Sequence, residues 1–172
     1  MRGRWAAGIP PRNFAWVIQG QLAISERPGG YARNHRRVRR HEEILWLREQ
    51  GFSRVVSLLP SSHNLHAYTE LDMNWAHFPL PATAEMRTAL PELFGQFAAW
   101  LGAGETILVH QEEMGDRLMG VMAGFLVWSG RLGDRPRAIS ALEQITKRQM
   151  GPPGRQLVTL TPDANPEQHP GA

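Results

Sequence analysis

The 172-residue sequence contains no cysteine. That absence removes disulfides, thiolate zinc sites and thiol nucleophiles together. Long apolar runs are missing as well. The longest, Leu118 to Trp128, includes two glycines and falls short of the roughly 18 residues a membrane span needs. The opening Met1-Arg-Gly-Arg-Trp5 carries charge but no apolar stretch, so it does not read as a secretory signal, and a cytoplasmic protein is expected. Neither sign of charge dominates: formal net charge is +3.

What is present is the composition of a soluble globular domain, 42% hydrophobic and 20% charged. Arginine is concentrated at Arg33, Arg36, Arg37, Arg39 and Arg40. Such a run can bind nucleic acid or an acidic surface. No aromatic residues interleave with it as single-strand binders prefer, and Arg39 with Glu43 has the spacing of a helix-surface ion pair. A solvated helix start is therefore the preferred reading, with nucleic-acid binding as the alternative.

Along the chain, strands alternate with helices. Phe14–Ile18 and Gln21–Ile24 read as a hairpin around Gln19-Gly20, and Arg27–Gly30 as a loop. His41–Gln50 reads as a helix ending at Gly51. Ser53–Leu59 and Glu105–His110 read as buried parallel strands. Asn74–Phe78 reads as a shorter strand, and the polar stretch Ser61–Asp72 has room for a helical turn. Leu90–Leu101, Arg117–Trp128 and Arg135–Gln149 read as helices, the last capped by Asp134. The expected fold is α/β: a mainly parallel central sheet flanked by helices. Residues 1–12 are expected to form a flexible basic arm, 13–150 the domain, and 151–172, opening with Gly151-Pro-Pro-Gly154, a Pro-rich disordered tail.

In such folds ligands sit at the carboxyl ends of strands, and a helix N-terminus there favours anions. The segment His110-Gln111-Glu112-Glu113-Met114-Gly115-Asp116-Arg117 occupies that place and is the candidate ligand-binding loop. Its spacing of His110 and Arg117 after an apolar Ile107-Leu-Val109 resembles the His-Cys, five residues, Arg loop of cysteine-dependent protein phosphatases. Asn13-Phe-Ala-Trp-Val17 with Gly20-Gln-Leu-Ala23, Gly51-Phe-Ser-Arg-Val-Val-Ser-Leu58 and His77-Phe-Pro-Leu-Pro81 resemble the opening hairpin, the next strand and the acid-bearing segment of small atypical dual-specificity phosphatases. The resemblance covers roughly residues 13–150 and implies their fold.

It also implies which residues should do chemistry, and those positions have changed. Gln111 stands where the family has its thiolate nucleophile. Leu80 stands where it has its acid, and Leu118 where it has Ser or Thr. Met114 and Asp116 replace loop glycines, with Gly115 between them. Glu112, Glu113 and Asp116 against Arg117 leave the loop at a formal −2, and two like charges ~5 Å apart repel by roughly 3 kcal/mol. The expectation is a catalytically inactive pseudophosphatase that binds a protein partner, with no cofactor and no metal. One alternative is a module that binds a phosphorylated or anionic ligand through Arg117 and the loop. Arg117 is expected in an internal salt bridge and His110 in a structural role. His63 and His66 are expected in a solvated loop, and Met119, Met122, Phe125 and Leu126 in the core.

Overall fold

Alternating aliphatic side chains of Leu22–Glu26, Arg54–Ser57 and Ile107–Gln111 build the centre of a five-stranded sheet in the computed structural model, which describes residues 8–30 and 36–163. The strands are β1 (Ala15–Ile18), β2 (Leu22–Glu26), β3 (Arg54–Ser57), β4 (Asn74–His77) and β5 (Ile107–Gln111), in the order β1-β2-β5-β3-β4. Only β1 runs antiparallel, to β2; the other pairings are parallel. The helices are α1 (Arg37–Glu49), α2 (His66–Glu70), α3 (Met86–Gly102), α4 (Asp116–Trp128), α5 (Arg135–Thr146) and α6 (Pro152–Leu160). The fold is thus mixed α/β with a mainly parallel five-stranded sheet.

Two compact units make up the chain: residues up to Pro79 with Trp100–Met114, and Leu80–Ala99 with the residues from Gly115 on. In the first, Ala23, Val55 and Leu108 share one face of the sheet and pack with Ile44 and Leu47 of α1, Phe52, Tyr68 and Met73. Their strand neighbours Leu22, Ile24, Val56, Ile107 and Val109 point the other way and are equally buried, as the period of two requires. Trp16 stacks on Phe52, and Phe14 meets Trp46 edge-on. In the second unit the rings of Phe94, Phe97, Phe125 and Trp128 form one cluster. Every α4 residue from Leu118 to Trp128 is buried, including Met119, Met122 and Leu126.

Three elements depart from the sequence reading. Helix α1 begins at Arg37 rather than His41, so Arg37, Arg39 and Arg40 are part of the helix and Arg36 is its N-cap. Helix α3 begins at Met86 and contains Pro91, whose missing N–H costs one hydrogen bond near the start of the helix. The third is larger. Residues 152–160, expected in an irregular tail, form α6. Gly-Pro-Pro-Gly reads as a breaker, yet proline at the first helical positions starts a helix, because its N–H has no partner there anyway. Leu157 and Val158 then supply a buried face. At the end of the expected arm, the Arg12 carbonyl accepts from the Glu26 N–H at 3.0 Å, and just beyond it Asn13 Nδ2 donates to Glu26. Residues 1–7, Arg33 and residues 164–172 lie outside the described residues.

Helices α4 and α6 approach backbone to backbone. A Cβ added at Gly120 would lie 2.5 Å from the Gly154 carbonyl oxygen, and one at Gly154 would lie 2.5 Å from the Asp116 carbonyl oxygen. Gly120→Ala and Gly154→Ala should each destabilise the protein by about 1–3 kcal/mol in chemical denaturation. Gly95→Ala, in α3 with open space around it, should instead be neutral or add up to about 1 kcal/mol. Equal effects at all three sites would contradict the close helix approach.

Candidate functional site

Parallel pairing of β5 between β2 and β3 sets a row of polar residues across the carboxyl end of the sheet. Ser25 of β2 is in register with His110 of β5, His110 with Ser57 of β3, and Ser57 with His77 of β4. Ser25, Ser57 and His110 are buried. This is where an α/β sheet collects functional groups. It is also where polar groups must find internal partners.

His110 finds two. Its Nδ1 lies 3.3 Å from the Gln111 carbonyl oxygen and its Nε2 3.4 Å from the Tyr68 hydroxyl. A carbonyl only accepts, so Nδ1 carries the proton and Nε2 accepts from Tyr68. Burial drives the His110 pKa down to about 4; the Gln111 carbonyl resists this, while Arg27 and His77 add to it. Burial also raises the Tyr68 hydroxyl, against the pull of Arg27 and Arg40. The pair is therefore neutral at physiological pH.

Four further side chains of the 110–117 segment have internal partners. Gln111 Nε2 donates to the Leu58 carbonyl oxygen at 3.3 Å. Glu112 pairs with Arg27 at 3.4 Å, Glu113 is exposed, and Met114 is buried. Gly115 is the extended residue before α4. Asp116 accepts from the Gly151 N–H at 3.0 Å and lies 3.7 Å from Arg148. Arg117 donates to the Pro81 carbonyl oxygen at 2.6 Å. The internal salt bridge expected for Arg117 is not formed: among the described residues its partner is a backbone carbonyl, because Glu112 and Asp116 already serve Arg27 and the start of α6. Leu80 is half-buried beside that carbonyl in sequence, and Leu118 is buried.

The arginine run does not form one basic face. Arg40 is buried, and Arg39 pairs with Glu43 at 3.1 Å. Arg36 and Arg37 remain exposed. Glu43 is itself buried; burial raises its pKa, while the Gly29 N–H and Arg39 hold it down. It ties the Arg27–Gly30 loop to α1 through that Gly29 N–H. His63 and His66 are exposed. Among the described residues no group of three or more His, Asp or Glu side chains could hold a metal, and no helix is long and apolar enough to cross a membrane.

Sequence reasoning missed Arg27, Tyr68 and Ser57, and it read Glu43 only as the partner of Arg39, not as the anchor of the Arg27–Gly30 loop. Arg27 leaves the end of β2, and only the strand order puts β2 beside β5. Arg27-Pro-Gly-Gly30 is a visible turn signal, but it does not say what the turn approaches.

This architecture is that of the protein tyrosine and dual-specificity phosphatases. The kinase-associated phosphatase KAP, solved with its catalytic cysteine changed to serine, superposes with a TM-score of 0.67 at 17% identity, over 87% of this chain and 92% of that one. Tk-PTP in its active form gives 0.65 at 16% identity over 86% and 93%, and human DUSP28 with one Tyr-to-His change gives 0.62 at 18% over 89% and 95%. No family model and no curated protein matches the sequence. The chain therefore has the phosphatase fold without any cysteine.

Neutral, buried His110 carries a pH consequence. The folded protein holds it unprotonated down to about 4, against 6.5 for a free histidine. The unfolded chain takes up the extra proton in between. Stability linked to neutral His110 is thus intact above pH 6.5 and lost as pH falls towards 4, on the order of 3 kcal/mol. Denaturation of His110→Gln should show a shallower loss of stability across that window than the parent. Identical slopes would contradict the assignment.

Proposed function

We propose that the protein is a catalytically inactive phosphatase-like domain, a pseudophosphatase, that acts by binding a protein partner. The observation that carries this reading is the fate of two loop positions. Gln111, where the nucleophile would be, has its amide on the Leu58 carbonyl, and Arg117 has its guanidinium on the Pro81 carbonyl. An amide so held has no lone pair fit to attack phosphorus, and an arginine so held is turned to a backbone oxygen instead of a substrate. Leu80 supplies no proton for a leaving group. Glu112, Glu113 and Asp116 oppose a dianion electrostatically. Trp75, an exposed ring on the edge strand β4, suits contact with another protein.

The reading in which Arg117 and the 110–117 loop take a phosphorylated or anionic ligand is weaker, because the ligand would have to displace the Pro81 carbonyl and approach three carboxylates. Nucleic-acid binding through the arginine run is weaker still, with Arg40 buried and Arg39 paired.

The test is turnover of aryl phosphates and phosphopeptides by the parent and by Gln111→Cys. The parent should not exceed the uncatalysed background. The variant should stay within about tenfold of it, since the acid, the Ser/Thr position and the loop glycines are also changed. Turnover by the parent, or a robust phosphatase from that single change, would overturn the reading.

A further inference from the structure

The outer edge of β4, in the first unit, leaves main-chain groups without a partner. Along a parallel pair, successive residues turn their N–H and C=O alternately to either side. The Phe78 N–H donates to the Ser57 carbonyl oxygen at 2.9 Å. Ala76 and Phe78 therefore face β3, and the N–H and C=O of Trp75 and His77 face away from it. β4 is the last strand of the sheet, and among the described residues nothing bonds these outward groups. No proline or lysine within Asn74–His77 blunts the edge.

Beside the first of these residues lies a shallow recess, lined by Arg54, Thr69, Asp72, Met73, Asn74 and Trp75. Its volume, ≈ 240 Å³, is below the roughly 300–1,000 Å³ of small-molecule sites and suits a single long side chain. The Trp75 indole is held in place by its N–H, which donates to Thr69 Oγ1 at 2.9 Å. The charge of Arg54 is already met: Glu105 takes its Nε at 3.0 Å and a second nitrogen at 3.4 Å, and its guanidinium lies 4.8 Å over the Trp100 ring. Asp72 is exposed and forms no ion pair among the described residues. The recess thus sets one carboxylate beside an indole ring, and both attract a cation.

We propose that the outer edge of β4 takes an extended, basic segment of a partner protein as an added strand. The segment's main chain pairs with Trp75 and His77, and one of its Arg or Lys side chains enters the Asp72–Trp75 recess. A second copy of the chain does not fit this requirement, because its edge strands, Ala15–Ile18 and Asn74–His77, carry no Arg or Lys. The proposal rests on the partner-binding reading above and states where that partner sits and what it presents.

Selection of a displayed library of random short peptides against the full chain tests this. Recovered binders should share an extended, β-branched stretch that contains Arg or Lys. A synthetic peptide of the strongest binder should bind about tenfold or more weakly to Trp75→Ala and about threefold more weakly to Asp72→Asn. Asparagine tolerates the positive φ of Asp72, 60°, so the second change removes the charge alone. Bound peptide should slow hydrogen exchange at the Trp75 and His77 amides, and N-methylating one alternate set of its main-chain nitrogens should abolish binding. Failure to select any binder overturns the proposal. So do binders that are acidic, or that neither substitution weakens. Self-association of the chain that Trp75→Ala removes also overturns it and gives the edge to a second copy. The pseudophosphatase reading fails by a different result, turnover by the parent.

Discussion

Parallel pairing of β5 with β2 on one side and β3 on the other is the constraint from which the site follows. It fixes His110 between Ser25 and Ser57 and delivers the chain into α4 just beyond. Three strands buried on both faces leave no freedom to slip, because a one-residue shift would turn every core side chain outward. The first residues of the 110–117 loop are therefore held at the carboxyl end of β5. The frame is the phosphatase fold, and the chain that fills it has no cysteine.

Several loop side chains are engaged in internal structure. Asp116 sits in the first turn of α4, where a carboxylate suits the helix dipole, and it also meets the N–H of Gly151 at the start of α6. Gln111 and Arg117 each bond a backbone carbonyl. Glu112 reaches Arg27. A substrate loop keeps its donors free and convergent, since they must wait for an anion. Here the side chains of Gln111 and Arg117 already have backbone acceptors, and those of Glu112 and Asp116 already have partners.

Much of this was legible in the sequence, for identifiable reasons. The period of two in Leu22–Ile24 and the continuous apolar run around Val55 and Val109 marked the strands. Asp134 with proline behind it marked the start of α5, and the spacing of His110 and Arg117 marked the loop. The failures are equally physical. Gly151-Pro-Pro-Gly154 has the composition of a breaker, and only its burial against Gly120 shows that it starts a helix. Arg40 looked like one of five equivalent surface cations until α1 turned it inward. The partner of Arg117 was expected to be a carboxylate, but Pro81 lies 36 residues away in sequence, and no local pattern encodes that meeting.

The central claim is that the 110–117 loop no longer receives a tetrahedral oxyanion. Backbone amide resonances of Glu113–Arg117, followed while vanadate is titrated in, test it most directly. The account predicts that these resonances stay in place up to saturating vanadate. Saturable shifts converging on these amides, with loss on Arg117→Ala, would show a working phosphate cradle and contradict it.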